Sequence, residues 1–179
     1  MAELLAYWAD LRSAHPTHLR VRLVALLGAG LFALALALAG GGGPVAWAGI
    51  LVLGALVVYQ PTTLMPVVLV VFGVASWWAG VPGPWHWALL PAAWGLLLVH
   101  AASALASSVP SQAPLPASVL RVYAVRTGVV AAVTALVWGL AGLVVHGPQS
   151  DGLGVVPGIA GLAAVVGGLV VYLRRTARG

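Results

Sequence analysis

The chain has no cysteine and no lysine, and its 179 residues include only three acids, Glu3, Asp10 and Asp151. Without cysteine there is no disulfide framework, no thiolate metal site and no redox dithiol. No acid falls within any long apolar run, so the usual signature of proton or cation coupling inside a membrane is missing. Charged residues of both signs make up 6% of the sequence, against 62% hydrophobic residues. In water, that much apolar side chain would need a core larger than a chain of this length can surround with polar surface. Lipid is the solvent that this composition fits.

The formal charge of +5 comes from eight arginines. They flank apolar runs instead of forming one solvated patch, which argues against nucleic-acid binding despite the high pI. They read as anchors at the cytoplasmic face of a membrane. Abundant Ala, Gly, Val and Arg without Lys points to a GC-rich bacterial genome.

The chain divides into a polar segment, 1–22, and a membrane domain, 23–179. As a helix, 2–14 places Leu4, Trp8 and Leu11 on one stripe, with Glu3, Asp10 and Arg12 elsewhere. That pattern fits a short helix lying in the headgroup region, stopped by Pro16, with Thr17 as the cap of the next helix. Six apolar runs come next, at about 23–40, 44–59, 64–80, 87–106, 121–145 and 155–173. Ala37-Leu38-Ala39 resembles a signal-peptidase site, but the long acid-bearing segment before it favours an uncleaved span. Gly40–Gly43 forms a turn, with Pro44 suited to the first position of the next helix.

The region 44–80 would be ~55 Å long as one helix, too long for a single crossing of a ~30 Å hydrocarbon core. Gln60-Pro61-Thr62-Thr63 is its natural break. Two full crossings through a thinned patch are preferred over a re-entrant hairpin, because re-entrant backbone needs protein or water around it. Val81-Pro82-Gly83-Pro84 is a tight connection inside a tryptophan belt of Trp77, Trp78, Trp85 and Trp87. The proline-rich 107–118 reads as an extended loop. Six crossings bring all eight arginines to one side, with both termini, and leave Asp151, His86 and His146 on the other. The expected fold is therefore an all-α, polytopic membrane helix bundle with six transmembrane helices, both termini cytoplasmic (N-in/C-in), in the bacterial inner membrane.

Small residues recur at helical spacing and mark candidate packing faces, where backbones approach closely. One face is Ala29, Ala33 and Ala37, in a row from Ala25 to Gly41. A second is Gly128, Ala132, Ala135, Gly139 and Gly142. A third is Gly154 and Gly158, with Ala164 and Gly168 in a parallel row.

No zinc-protease pattern, phosphate-cradling loop or nucleotide fingerprint occurs, and no hydroxyl sits in a nucleophile-elbow context. His100, within the fourth run and one turn before Ser103, is open to metal or haem ligation, proton relay or a simple interhelical hydrogen bond. His86 and His146 share the outer face but lack a third ligand. Arg126 lies ~7 Å deeper along its helix than Arg121, where it either snorkels to the headgroups or holds an anionic lipid or a partner's carboxylate. No catalytic residue, cofactor or metal is expected. The partners expected are the lipid bilayer and another membrane protein or a second copy.

The order of spans, the break after the second, the tryptophan-rich turn and the proline-rich loop before VLRVYAVR resemble small actinobacterial multi-span membrane proteins. Those are often encoded beside a MoxR-type AAA+ ATPase and a von Willebrand factor A-like protein. The resemblance implies a possible complex partner and no activity. The expected role is an accessory or scaffolding subunit. A small transporter or channel, using 44–80 or the His100/Arg126 region, is second, and an intramembrane enzyme third.

Overall fold

The computed structural model describes residues 13–61, 64–83, 85–146 and 167–168. The interfacial helix expected over 2–14 and the sixth span expected over 155–173, with Gly154, Gly158 and Ala164, lie almost wholly outside the described residues. Five helices are described, namely α1 (Pro16–Leu38), α2 (Pro44–Tyr59), α3 (Met65–Gly80), α4 (Leu89–Ser107) and α5 (Ala117–His146). Among the described residues no strand occurs. Helices α1, α4 and α5 are long and apolar enough to cross a membrane. Helices α2 and α3 are apolar but only 16 residues each.

Helix α1 starts earlier than the apolar run alone suggests. Pro16 occupies its first turn, and the cap is His15, not Thr17: the His15 ring Nδ1 accepts from the Thr17 backbone N–H at 3.3 Å. Pro16 therefore opens this helix, where a proline loses no intrahelical hydrogen bond. The helix ends in a Schellman turn. Gly40 has φ +72°, its N–H reaches Ala37 O at 2.9 Å, and the Gly41 N–H reaches Leu36 O at 3.0 Å. Both bonds satisfy carbonyls that the helix end would otherwise leave open. Gly42, at φ +94°, completes the reversal, and Pro44 opens α2.

Helices α1 to α4 run alternately up and down around one apolar interior. Towards the start of α1, one cluster joins Val21, Ala25 and Ala29 to Val57, Leu69, Val99, Ala102 and Leu105. Towards its end, a second joins Phe32, Ala35 and Leu36 to Ile50, Val81, Ala88 and Ala92. Helix α2 contributes to both, so it passes alongside most of α1. The buried stripe of α1 is His18, Val21, Arg22, Ala25, Gly28, Ala29, Phe32, Ala35 and Leu36. Its outward face carries Leu19, Leu23, Leu26, Leu27, Leu34 and Leu38, with Leu27 61% exposed. Leucines dominate the outward face, while the inward stripe mixes small residues with Phe32, Leu36, His18 and Arg22, an arrangement that lipid solvation allows and water does not.

Small residues set the closest approach. A Cβ on Gly28 would stand 2.7 Å from Gly95 O and 3.0 Å from Val99 N, and a Cβ on Gly95 would stand 2.7 Å from Phe32 N. Backbone therefore lies against backbone where α1 crosses α4. Of the small-residue row expected on α1, Ala29 is buried, Ala33 is half-buried and Ala37 is exposed. A strict four-residue repeat turns about 40° too far at each step on a helix of 3.6 residues per turn, so the row leaves the contact after two steps.

The chain forms two compact units, divided at Val129 and Val130. The first holds α1–α4 and the start of α5. Within the second, α5 continues to His146; the Thr134 hydroxyl donates to Val130 O at 2.8 Å, and the His146 ring Nδ1 lies 3.0 Å from Gly142 O.

Candidate functional site

Two features of the first unit lie at the end where α1 and α5 begin and α4 finishes. One is a set of buried polar side chains on α1 and α4, close in sequence to where the 107–116 loop meets α1, and the other is an open apolar groove between α1, α4 and α5.

The loop is folded onto α1 rather than extended into solvent. The His15 backbone N–H donates to Ser111 O at 2.9 Å, and the Leu115 N–H donates to Thr17 Oγ1 at 3.2 Å. Thr17 Oγ1 also lies 2.8 Å from His15 Nδ1. Leu115 is only 5% exposed and joins the apolar cluster at this end. Prolines stop the chain from being a helix, but one buried leucine and two long-range hydrogen bonds are enough to hold it down.

Further along α1, His18 is fully buried and Arg22 is 5% exposed. This corrects the expectation that every arginine is a solvent-facing anchor, since Arg22 stands on the stripe that faces the bundle interior. Ser103 of α4 is also buried, and its Oγ has no hydrogen-bond partner among the described residues. The antiparallel register fixed by Gly28 against Val99 puts Arg22 and Ser103 within about one turn of the same level. His18 and Arg22 follow the 18, 22, 25, 29, 32, 36 spacing of the small-residue face, a periodicity visible in the sequence itself.

The groove has a volume of about 360 Å³ and is lined by Val21 and Val24 of α1, Leu98, Ala101 and Leu105 of α4, and Leu120, Tyr123 and Thr127 of α5. In the part of α5 that belongs to this unit, no residue is buried. Of the polar residues singled out in the sequence, His100 is exposed on α4, Ser103 is buried, and Arg126 is exposed on α5. None of the three lines the groove. Gly128 is exposed, with nothing within 4 Å of where a Cβ would stand. Ala132, Ala135, Gly139 and Gly142 belong to the second unit, as does Gly168, which is helical and exposed.

At the opposite end of the first unit, aromatic rings gather. His86 stands between Trp77 and Trp87, with ring centroids at 6.3 and 5.7 Å, and its Nδ1 accepts from the Ala88 N–H at 3.1 Å. Trp78 is 86% exposed and Trp87 51% exposed, which suits a membrane–water interface. Among the described residues, no group of three or more His, Cys, Asp or Glu side chains is placed to hold a metal ion.

No family model, curated protein or solved structure matches the chain.

Proposed function

We propose that the protein is a non-catalytic integral membrane protein of the bacterial plasma membrane, an accessory or scaffolding subunit that packs against other membrane proteins or a second copy of itself. One observation carries this reading: the interior of α1–α4 is closed. Gly28 and Gly95 bring two backbones together near its middle, and Phe32, Leu36, Val57, Leu69 and Val99 are all at most 2% exposed. A solute path needs polar groups or water along the whole axis; the buried His18, Arg22 and Ser103 lie towards one end only, and the packing beyond them is apolar.

In this reading the chain crosses six times, with 155–173 as the sixth span and both termini cytoplasmic. Its support is the alternation of α1–α4 and the start of α5 beside that of α1, which bring Arg20, Arg22, Arg121 and Arg126 to one end of the first unit and Trp47, Trp77, Trp78, Trp85 and Trp87 to the other. The face offered to a partner is Gly128, Ala132, Ala135, Gly139 and Gly142, and the resemblance to proteins encoded near AAA+ ATPases suggests where to look for that partner. Affinity purification from native membranes tests the reading. A stable partner lost on Gly139→Leu and kept on Gly139→Ala is the expected result; an identical set of proteins from wild type and Gly139→Leu would refute it.

A small transporter is the second reading, favoured by the buried His18, Arg22 and Ser103. Flux through proteoliposomes that vanishes on Arg22→Gln, in a variant that still folds, would promote it over the first.

A further inference from the structure

The subunit reading gives the buried His18 and Arg22 nothing to do. They stand one helical turn apart on the inward stripe of α1, at 0% and 5% exposed. Side chains on a helix lean towards its N-terminus, so both polar ends lie over the first turns of α1, near Pro16. Taking a guanidinium out of water is costly unless an anion lies against it. The chain has three acids to offer, Glu3, Asp10 and Asp151, none of them among the described residues. Asp151 belongs to the second unit and comes after the far end of α5, a helix of 30 residues. Glu3 and Asp10 belong to the first unit, which runs from Met1 to Val129.

The chain enters α1 at this same place. Ser13 is helical and Ala14 is 9% exposed. His15 is extended, at φ −62° and ψ 144°, with its N–H on Ser111 O. A two-residue break therefore turns the chain sharply at the end of the bundle where His18 and Arg22 are buried. Asp10 is four residues before Ala14 and His18 four residues after it, each ~6 Å of helical rise. Glu3 lies another ~10 Å out along the chain.

We propose that residues 1–13 dock on the arginine end of the bundle, with the Asp10 carboxylate as the counter-charge of Arg22 and the His18 ring N–H as its second donor. Charge and reach both select this occupant. A buried cation calls for an anion, and Asp10 is the acid that the turn at Ala14 and His15 brings back over the start of α1. On a helix the stripe of Leu4, Trp8 and Leu11 is centred about 130° from Asp10. Setting Asp10 against the bundle thus leaves that stripe to the headgroup region, as its amphipathic pattern demands. The docked segment is a strap of the chain's own over His18 and Arg22, which sets these groups to holding it and not to receiving a solute.

The test uses full-length protein in neutral detergent without added lipid. Asp10→Asn should lower the thermal unfolding midpoint by about 5–10 °C, because it leaves Arg22 buried and uncompensated. Glu3→Gln should leave the midpoint unchanged. Adding Arg22→Gln to Asp10→Asn should raise the midpoint again, since the orphaned charge is gone. Arg22→Gln alone should also speed trypsin cutting after Arg12 by about tenfold or more, from a position remote from the cut. If Arg22→Gln does not fold, the contrast between Asp10→Asn and Glu3→Gln still decides. Equal midpoints for wild type and Asp10→Asn would overturn the proposal and assign the counter-charge to an anion from outside the chain. A loss on Glu3→Gln in place of Asp10→Asn would overturn the choice of acid. Additive losses in the double variant would show that Asp10 and Arg22 do not meet, and would overturn it too.

Discussion

Gly28 and Gly95 fill each other's missing side-chain space: a Cβ on the first would stand 2.7 Å from the carbonyl oxygen of the second, and a Cβ on the second 2.6 Å from that of the first. The obstructing atoms are backbone, so no rotamer change relieves the clash. Gly28→Ala or Gly95→Ala should each destabilise the protein by about 1–3 kcal/mol, the ordinary cost of overpacking. Gly30→Ala, with open space around it, should be neutral or gain about 0.5–1 kcal/mol through helix propensity. Thermal unfolding of the three variants in one detergent checks the contrast, and equal midpoints would contradict the close crossing.

The attachment of the 107–116 loop to α1 makes a second prediction. Leu115→Ala should cost about 2–4 kcal/mol by emptying a buried site. Thr17→Val, which removes the acceptor of the Leu115 N–H, should cost about 1 kcal/mol. Both should speed proteolytic cutting between Ser107 and Pro116. Cutting at the wild-type rate in Leu115→Ala would mean that the loop is held by something else.

Ser103 gives a prediction of opposite sign. Its buried hydroxyl lacks a hydrogen-bond partner among the described residues, so Ser103→Ala removes a desolvated polar group at the expense of no bond. Stability should stay level or rise by about 1 kcal/mol. A clear loss, measured by the same thermal assay, would show that the hydroxyl has work to do.

The lack of cysteine makes the proposed topology easy to probe. Single Arg20→Cys and Arg174→Cys variants should both react with an impermeant maleimide only from the cytoplasmic side. Labelling on opposite faces would rule out the six-crossing arrangement.

The sequence shows the helices more clearly than their faces. Pro44 and Gln60 bound α2 where the structure does, and α3 and α4 start within two residues of their apolar runs. Helices α1 and α5 begin four or more residues before their charge-free stretches, because a helix does not stop where the lipid does. Helix faces depend on the partner, and for α1 the partner is α4, more than fifty residues on. The alanines spaced by four suggest one stripe, whereas the contact follows the 3.6-residue period and draws in Gly28 and Phe32. Arg22 is the least legible position. A guanidinium at a span end is equally suited to snorkelling outward or to facing the bundle, and only its place on the 18, 22, 25, 29, 32, 36 stripe, once that stripe is known to be the buried one, distinguishes them.

The brevity of α2 and α3 has a consequence for the surrounding bilayer. Sixteen residues make a rod of ~24 Å, about 6 Å short of an average hydrocarbon layer. In the proposed six-crossing arrangement the membrane has to pinch inward along that flank, and each ångström of pinching carries a small elastic cost. Short-tailed lipids relieve it, so the protein should gather them on one side and settle where the sheet is already thin.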